Sequence, residues 1–290
     1  MACGQRASQR RRNPEQRRCV SDPWQNGPVR TSVVQFPAQT DSPANLLTIR
    51  TFVHRAADAG SRLVVLPEGA MHDFGPPEYP LGPAAESLSG AFVTALSGFA
   101  SQHRLTIVAG MFESSGDPTR PYNTLVVVDA SGELVASYRK AHLYDSFGYS
   151  ESDRLLRGDA EPVTVKLDGI TLGLLTCYDL RFPEFARAVI DAGADTLVVP
   201  AAWVRGPLKE DHWVTLLRAR AIENTAYVIA AAQNGKQYCG CSMVVDPMGV
   251  AVAGLGEQEG IATAEVEPER ITEVRRRNPS LSNRRLHPAS

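Results

Sequence analysis

The sequence predicts an α/β layered fold, on three observations. Short apolar, β-branched runs alternate with stretches of helical periodicity along most of the chain. Several of the runs are apolar throughout, as in strands whose sheet is covered on both faces. The 290 residues are 43% hydrophobic and 21% charged, enough for a substantial core in one large domain or two small ones.

The elements follow in order from Val29. A strand is expected at Arg30–Phe36. Ser42-Pro43 reads as an N-cap followed by the first residue of a helix, Pro43–Ala59. The apolar run Arg62–Leu66 is the next strand, and Gly90–His103 the next helix. Strands are expected at Leu105–Met111, Thr124–Asp129, Leu134–Tyr138 and Ile170–Thr176. Pro183 opens a helix to Ala192, and Thr196–Pro200 returns to a strand. Helix Asp211–Asn224 precedes strands Ala226–Ala232, Met243–Val245 and Ile261–Val266, and helix Pro268–Arg277 closes the series. No repeat period is visible in the sequence.

Residues 1–28 read differently. Arg6, Arg10, Arg11, Arg12, Arg17 and Arg18 stand among Gln, Ser and Asn with few apolar residues, so a disordered tail is expected. It has neither the apolar core of a secretory signal nor the apolar helical face of a transit peptide. A formal net charge of -2 indicates neither a nucleic-acid nor a membrane partner, and no apolar run approaches the roughly 18–20 residues that span a bilayer. Cys3, Cys19, Cys177, Cys239 and Cys241 are odd in number and irregular in spacing. A disulfide framework is therefore not expected, and a reducing, cytoplasmic location is. Cys239-Gly-Cys241 lacks the partner pair of a zinc site, so no metal is expected. Lysine occurs only at 140, 166, 209 and 236, which makes each one worth inspecting.

Three polar residues stand just past apolar strands: Glu68, Lys140 and Cys177. In open α/β sheets, sites collect beyond the carboxyl ends of strands. A thiol attacks as its thiolate and needs a base, which a carboxylate within hydrogen-bond reach can be. A fixed ammonium can stabilise the oxyanion that forms on an attacked carbonyl. Each residue alone has an ordinary structural explanation. A lone cysteine after a buried strand is usually a small hydrophobe, Glu68 could cap a helix, and Lys140 could be a surface charge.

Read together, the segments are recognisable. Leu66-Pro-Glu68, Tyr138-Arg-Lys-Ala-His-Leu143 and Cys177-Tyr-Asp-Leu-Arg-Phe-Pro-Glu184 occur in this order. They resemble the three signature segments of the nitrilase, or carbon–nitrogen hydrolase, superfamily. The resemblance runs from about Val29 to Arg285 and includes Tyr122-Asn-Thr124, Arg218-Ala-Arg-Ala-Ile-Glu-Asn224 and Ser242-Met-Val-Val-Asp-Pro247. It implies a four-layer α-β-β-α sandwich over residues 29–285 and a Glu-Lys-Cys triad without cofactor. In that scheme Glu68 is the general base, Lys140 the oxyanion stabiliser and Cys177 the nucleophile that forms a thioester. The backbone N–H of Tyr178 would be a second oxyanion donor. Glu151 best fits the family's supporting glutamate; Glu161, past Arg157-Gly158, fits less well.

The nucleophile segment looks like that of the Nit branch, in a bacterial subgroup. The substrate implied is a small linear amide, with deaminated glutathione or the ω-amide of a 2-oxo acid favoured. N-carbamoyl hydrolysis, nitrile hydrolysis or acyl transfer on the same triad are alternatives. A binding protein on this fold is another, although it would be expected to lack a triad member. Gly235–Ser242 is shorter than in the relatives, with Cys241 where they carry His, and this bears on the pocket wall. Arg181, Trp203, Phe147 and His142 are candidate substrate contacts. For Arg181 the competing reading is an ion pair with Asp179 or Glu184; for His142 it is a structural role, and for Trp203 and Phe147 core packing. The resemblance places the helices after Cys177 and around Arg218 at a homodimer interface, with a larger homo-oligomer also possible.

Overall fold

In the computed structural model, which describes Met1 and residues 27–286, the first strand β1 (Val29–Gln35) already defines the layers. Val29 and Val33 face one hydrophobic core, while Val34, and Phe36 just beyond the strand, face another. Period-two alternation assigns residues to faces in the same way along the neighbouring strands. The arginine-rich segment expected to be disordered lies outside the described residues except at its ends.

After β1 come α1 (Ser42–Asp58), β2 (Leu63–Val65), α2 (Ala91–His103), β3 (Thr106–Glu113), β4 (Tyr122–Val128) and β5 (Leu134–Arg139). A short hairpin, β6 (Asp145–Ser146) and β7 (Tyr149–Ser150), leads to β8 (Thr164–Leu167), β9 (Ile170–Leu174), α3 (Pro183–Asp191) and β10 (Thr196–Ala201). The chain ends with α4 (Lys209–Asn224), β11 (Tyr227–Ala232), β12 (Met243–Val245), β13 (Ala251–Gly254), β14 (Gly260–Val266) and α5 (Pro268–Arg277).

Two six-stranded sheets form, ordered β14-β1-β2-β3-β4-β5 and β13-β12-β11-β10-β9-β8. Each holds three parallel strands, β1-β2-β3 and β9-β10-β11, with antiparallel strands on both sides. The pairing pattern is therefore repeated although the sequence shows no repeat. Leu63, Val65, Val108, Leu125 and Val127 of the first sheet share a core with Leu172, Leu174 and Val198 of the second. The outer face of the first sheet packs on α1 and α2 through Val64, Ile107, Val126, Ile49 and Leu96. On the far side of the second sheet, Val189 of α3 and Leu217 of α4 join the shared core. The result is the four-layer α-β-β-α sandwich. Each fully buried Val, Leu, Ile or Phe contributes about 1.5–3 kcal/mol, so the two cores supply most of the stabilisation.

Three local details differ from the sequence expectation. Asp41, not Ser42, caps α1: its side chain accepts the Ala44 N–H at 3.0 Å, and Ser42 is the first helical residue. Helix α4 begins two residues earlier than expected, at Lys209. Strands β8 and β13 add the two edges of the second sheet; both are short and part-exposed, which removes the apolar signal. Among the described residues, no helix is long and apolar enough to cross a membrane.

Candidate active site

Glu68 follows β2, Lys140 follows β5 and Cys177 follows β9, and the three side chains meet. The β2 run Leu63-Val-Val ends three residues before Glu68, with proline at 67 between them. The Glu68 backbone is gripped on two sides. Gly110 of β3 donates its N–H to Pro67 O at 3.2 Å, and Gln233 Nε2 donates to Glu68 O at 2.9 Å. The Gly110–Glu68 approach leaves no room for a side chain, since a Cβ on Gly110 would lie 2.7 Å from Glu68 Cα. Glu68 Oε1 accepts from Lys140 Nζ at 3.0 Å and from Asn123 Nδ2 at 2.7 Å. Oε2 accepts the backbone N–H of Ala202, which follows β10 in the opposite sheet.

Lys140 is buried, and its ammonium donates to two carboxylates. Besides Glu68 it reaches Glu151 Oε1 and Oε2 at 3.0 and 2.8 Å. Burial pushes the Lys140 pKa down, but the charges of Glu151 and Glu68 overcome it, and the net shift is well upward. Lys140 therefore stays an ammonium throughout the neutral range. Glu151 is also buried, and it accepts the Tyr144 N–H at 2.6 Å, which fixes its plane. Burial raises its pKa; Lys140 opposes and the nearby Glu68 adds to the rise. Glu161, the other glutamate considered, is exposed and has no part in this cluster.

Cys177 opens a 3₁₀ turn, Cys177–Arg181, with Leu175 and Thr176 between it and the end of β9. Its φ is +46°, a left-handed conformation that non-glycine residues adopt only when the surroundings hold them there. Burial raises the thiol pKa well above 9.0, Glu68 raises it further, and Lys140 pulls the other way. The cause is visible in the charge count. One ammonium already faces two carboxylates, so a free thiolate would add a second excess negative charge. Passing the proton from Cys177 to Glu68 leaves the total unchanged. Tyr178 is the second residue of the turn, where N–H groups have no internal acceptor.

Asp179 ties this turn to the Lys140 segment. It is fully buried. Its Oδ2 accepts from Thr176 N–H at 2.9 Å and Tyr138 Oη at 2.7 Å; its Oδ1 accepts from His142 N–H at 3.0 Å. His142 Nδ1 lies 2.7 Å from Oδ1, and its ring stacks on Phe182 with centroids 3.8 Å apart. Tyr138 and His142 flank Lys140 on either side. His142 is thus a brace beside the site and does not line the cavity.

A cavity of about 730 Å³ opens over the cluster. Glu68, Lys140, Glu151, Cys177 and Tyr178 lie in its wall, with Trp203 and the exposed Phe147. Phe147 and Gly148 have φ of +54° and +79° and form the tight turn of the β6–β7 hairpin. Arg181 is not in the wall. It forms neither of the two ion pairs considered for it: the oxygens of Asp179 are taken as described, and Glu184 is exposed to solvent with no salt bridge to it. Its guanidinium stands 4.8 Å from the centroid of Trp203 and 5.9 Å from that of Phe147. The Gly235–Ser242 segment contributes Lys236, Gln237 and Tyr238 to the wall, while Cys239 and Cys241 stay outside it as free thiols.

Sequence reasoning gave no role at the site to Asn123, Gln233, Asp179, Tyr144 or Lys209, although Asn123 and Asp179 lie in the recognised segments and Lys209 was marked as a scarce lysine. The signal for Asn123 was available: an amide just ahead of the apolar run Leu125–Val128 calls for a partner. Lys209, a cavity residue on α4, was one of only four lysines. No group of three or more His, Cys, Asp or Glu side chains among the described residues is arranged to hold a metal ion. A thiol, a carboxylate within reach of it and a fixed ammonium in a partly closed cavity can carry out acyl transfer.

A sequence profile described as carbon–nitrogen hydrolase matches residues 30–276. An Escherichia coli O157:H7 protein named deaminated glutathione amidase is 40% identical over 254 residues, 88% of this chain and 96% of that protein. The Caenorhabditis elegans NitFhit protein superposes with a TM-score of 0.83 at 31% identity, over 90% of this chain and 66% of that one. Saccharomyces cerevisiae Nit3, of branch 10 of the nitrilase superfamily, superposes with a TM-score of 0.79 at 29% identity, over 90% and 97%.

Proposed function

Since the chain belongs to the carbon–nitrogen hydrolase family and so hydrolyses amides, we propose that it works through a thioester on Cys177, with Glu68 as base and Lys140 as oxyanion partner. The observation that carries this reading is the Lys140 ammonium bonded to both Glu68 and Glu151 at the floor of the cavity that Cys177 shares. Glu68 takes the Cys177 proton as sulfur attacks the amide carbonyl. The new oxyanion is held by Lys140 Nζ and the Tyr178 N–H. Glu68 returns the proton to the leaving nitrogen, the C–N bond breaks, and the thioester remains. Glu68 then deprotonates a water that attacks the thioester, and the carboxylic acid leaves as Cys177 recovers its proton. Glu151 keeps Lys140 charged and in place.

The substrate class proposed is deaminated glutathione, after the name of the Escherichia coli relative, or else the ω-amide of a 2-oxo acid. The test is release of ammonia or amine from these compounds by the wild type and Cys177→Ala, with intact-mass detection of an acyl adduct on Cys177. Full activity in Cys177→Ala overturns the reading. A homodimer or larger homo-oligomer belongs to the same proposal. Ile222, Met248, Val250 and Val252 are exposed apolar side chains near the 2.9 Å bond from Arg218 Nε to Gly249 O. Sedimentation equilibrium of the wild type and Val250→Asp tests it; a monomeric wild type overturns it.

A further inference from the structure

Lys209 lies in the cavity wall yet takes no part in the catalytic cluster. It is only 5% exposed. A buried ammonium is ordinarily paired with a carboxylate. Here Nζ donates one hydrogen bond, to the hydroxyl of Tyr144 at 2.8 Å, and no carboxylate among the described residues forms a salt bridge with it. Its other neighbours are aromatic faces: Tyr144 at 4.6 Å, Phe147 at 4.8 Å and Trp203 at 5.5 Å from ring centroids. Such faces stabilise a cation without neutralising it. An ammonium has three protons to donate, so two remain.

The surroundings give the cavity a polarity. Glu68, Glu151 and Lys140 leave the catalytic end with one excess negative charge, and among the described residues no other acidic side chain lines the wall. Lys209, Arg205 and Lys236 line it elsewhere, and Arg181 lies behind Trp203. Of these cations, Arg205 is paired, with Glu257 at 3.2 Å. Tyr144 connects the two ends. Its N–H binds Glu151, its hydroxyl receives Lys209, and its ring meets Tyr178 edge-on at 5.1 Å, next to the nucleophile.

We propose that Lys209, steadied by Tyr144, is the subsite that receives a carboxylate of the substrate, and so makes the enzyme selective for amides that also carry an acid group. The proposal rests on the amidase reading above. It adds a residue and a ligand chemistry: an amide whose anionic end is drawn to Lys209 and repelled from the two glutamates is oriented with its carbonyl toward Cys177. Burial is the largest influence on Lys209 and lowers its pKa; the charge of Cys177 opposes this and that of Arg181 adds to it.

The test compares succinamate with butyramide, two amides of equal chain length that differ in the carboxylate. The readout is the ratio of their kcat/KM values in the wild type, Lys209→Met and Lys209→Arg. Lys209→Met should lower the ratio about 10- to 100-fold, chiefly through KM for succinamate. Lys209→Arg should keep most of it. An equal fall for both amides in Lys209→Met makes Lys209 a packing element and overturns the proposal. A calorimetric titration of α-ketoglutaramate into Cys177→Ala, with and without Lys209→Met, decides independently of turnover. Affinity should fall at least tenfold with the second substitution, and unchanged affinity overturns the proposal. A wild type that hydrolyses neither amide counts against the amidase reading, while the titration still decides Lys209.

Discussion

His142 presents both its backbone N–H and its ring Nδ1 to one oxygen of Asp179, at 3.0 and 2.7 Å. A carboxylate can only accept, so Nδ1 is the protonated nitrogen. The other oxygen of Asp179 holds Tyr138 and Thr176. One buried side chain thus fixes the residues two before and two after Lys140 against the turn that starts with Cys177.

Asp179→Asn is therefore expected to act on rate as well as on stability. The amide cannot accept all four hydrogen bonds, and at least one donor is left buried and unpaired. We expect a loss of about 2–3 kcal/mol, which lowers the melting midpoint by roughly 5–10 °C. The kcat should fall about 10- to 100-fold, with KM changed less, because Lys140 and Cys177 lose their common reference. Calorimetry and steady-state kinetics check both, and an unchanged kcat would count against the brace.

Gly110→Ala tests the close approach behind Glu68. The new Cβ would lie 2.7 Å from Glu68 Cα and 2.7 Å from Gly69 N, so the base must shift. A displacement of about 1 Å is enough to cost roughly a hundredfold in kcat. A crystal structure of the variant should show Glu68 moved relative to Lys140.

The resting thiol should be reluctant to react. Burial first, and Glu68 second, hold the Cys177 pKa well above 9.0, so the thiolate fraction at pH 7 is small and grows with pH. Inactivation by iodoacetamide should speed up about tenfold per pH unit from pH 7 to 8.5, with no plateau. A plateau below pH 8 would mean a low-pKa thiolate and contradict the charge count.

Glu151→Gln should shift the alkaline limb of the pH–rate profile. Burial pushes Lys140 down, and the charge of Glu151 is the largest influence pushing it up. Removing that charge lowers the Lys140 pKa, so the ammonium is lost at lower pH and the limb moves to lower pH. We expect kcat to fall about a hundredfold at pH 7.5. The stability that Lys140 gains from its partners follows the same sign. It is complete below the ordinary lysine value of 10.5 and is lost only as pH rises through the higher folded value. Wild-type melting midpoints between pH 7 and 9 should carry no contribution from this group's titration.

Much of this was legible in the sequence. The ten expected strands and five helices are all present; the six parallel strands, β1-β2-β3 and β9-β10-β11, are the most legible, because buried parallel strands write themselves as apolar runs. The strands that were missed, β6, β7, β8 and β13, are edge or hairpin strands with exposed residues. Glu68, Lys140, Glu151 and Cys177 were found from motif order, and the structure brings them to one cavity. Asp179 and Lys209 were not, for a physical reason. Their partners lie at separations such as the 65 residues between Lys209 and Tyr144, and only the packing of two sheets brings them together. Arg181 was weighed from its neighbours in sequence, yet the ring nearest its guanidinium, that of Trp203, belongs to a loop after β10.

The pairing of β1 with β14 has a consequence for biosynthesis. Among the described residues, Val29–Gln35 finds its antiparallel partner in Gly260–Val266, so the first described strand is completed by the last. At roughly 5–20 residues per second, the ribosome takes on the order of 10–50 s to deliver that partner. For that time β1 is an uncovered edge able to pair with another nascent chain. A chain that stops before Gly260 lacks the strand that covers this edge, so it should aggregate more readily than the full chain when both are expressed.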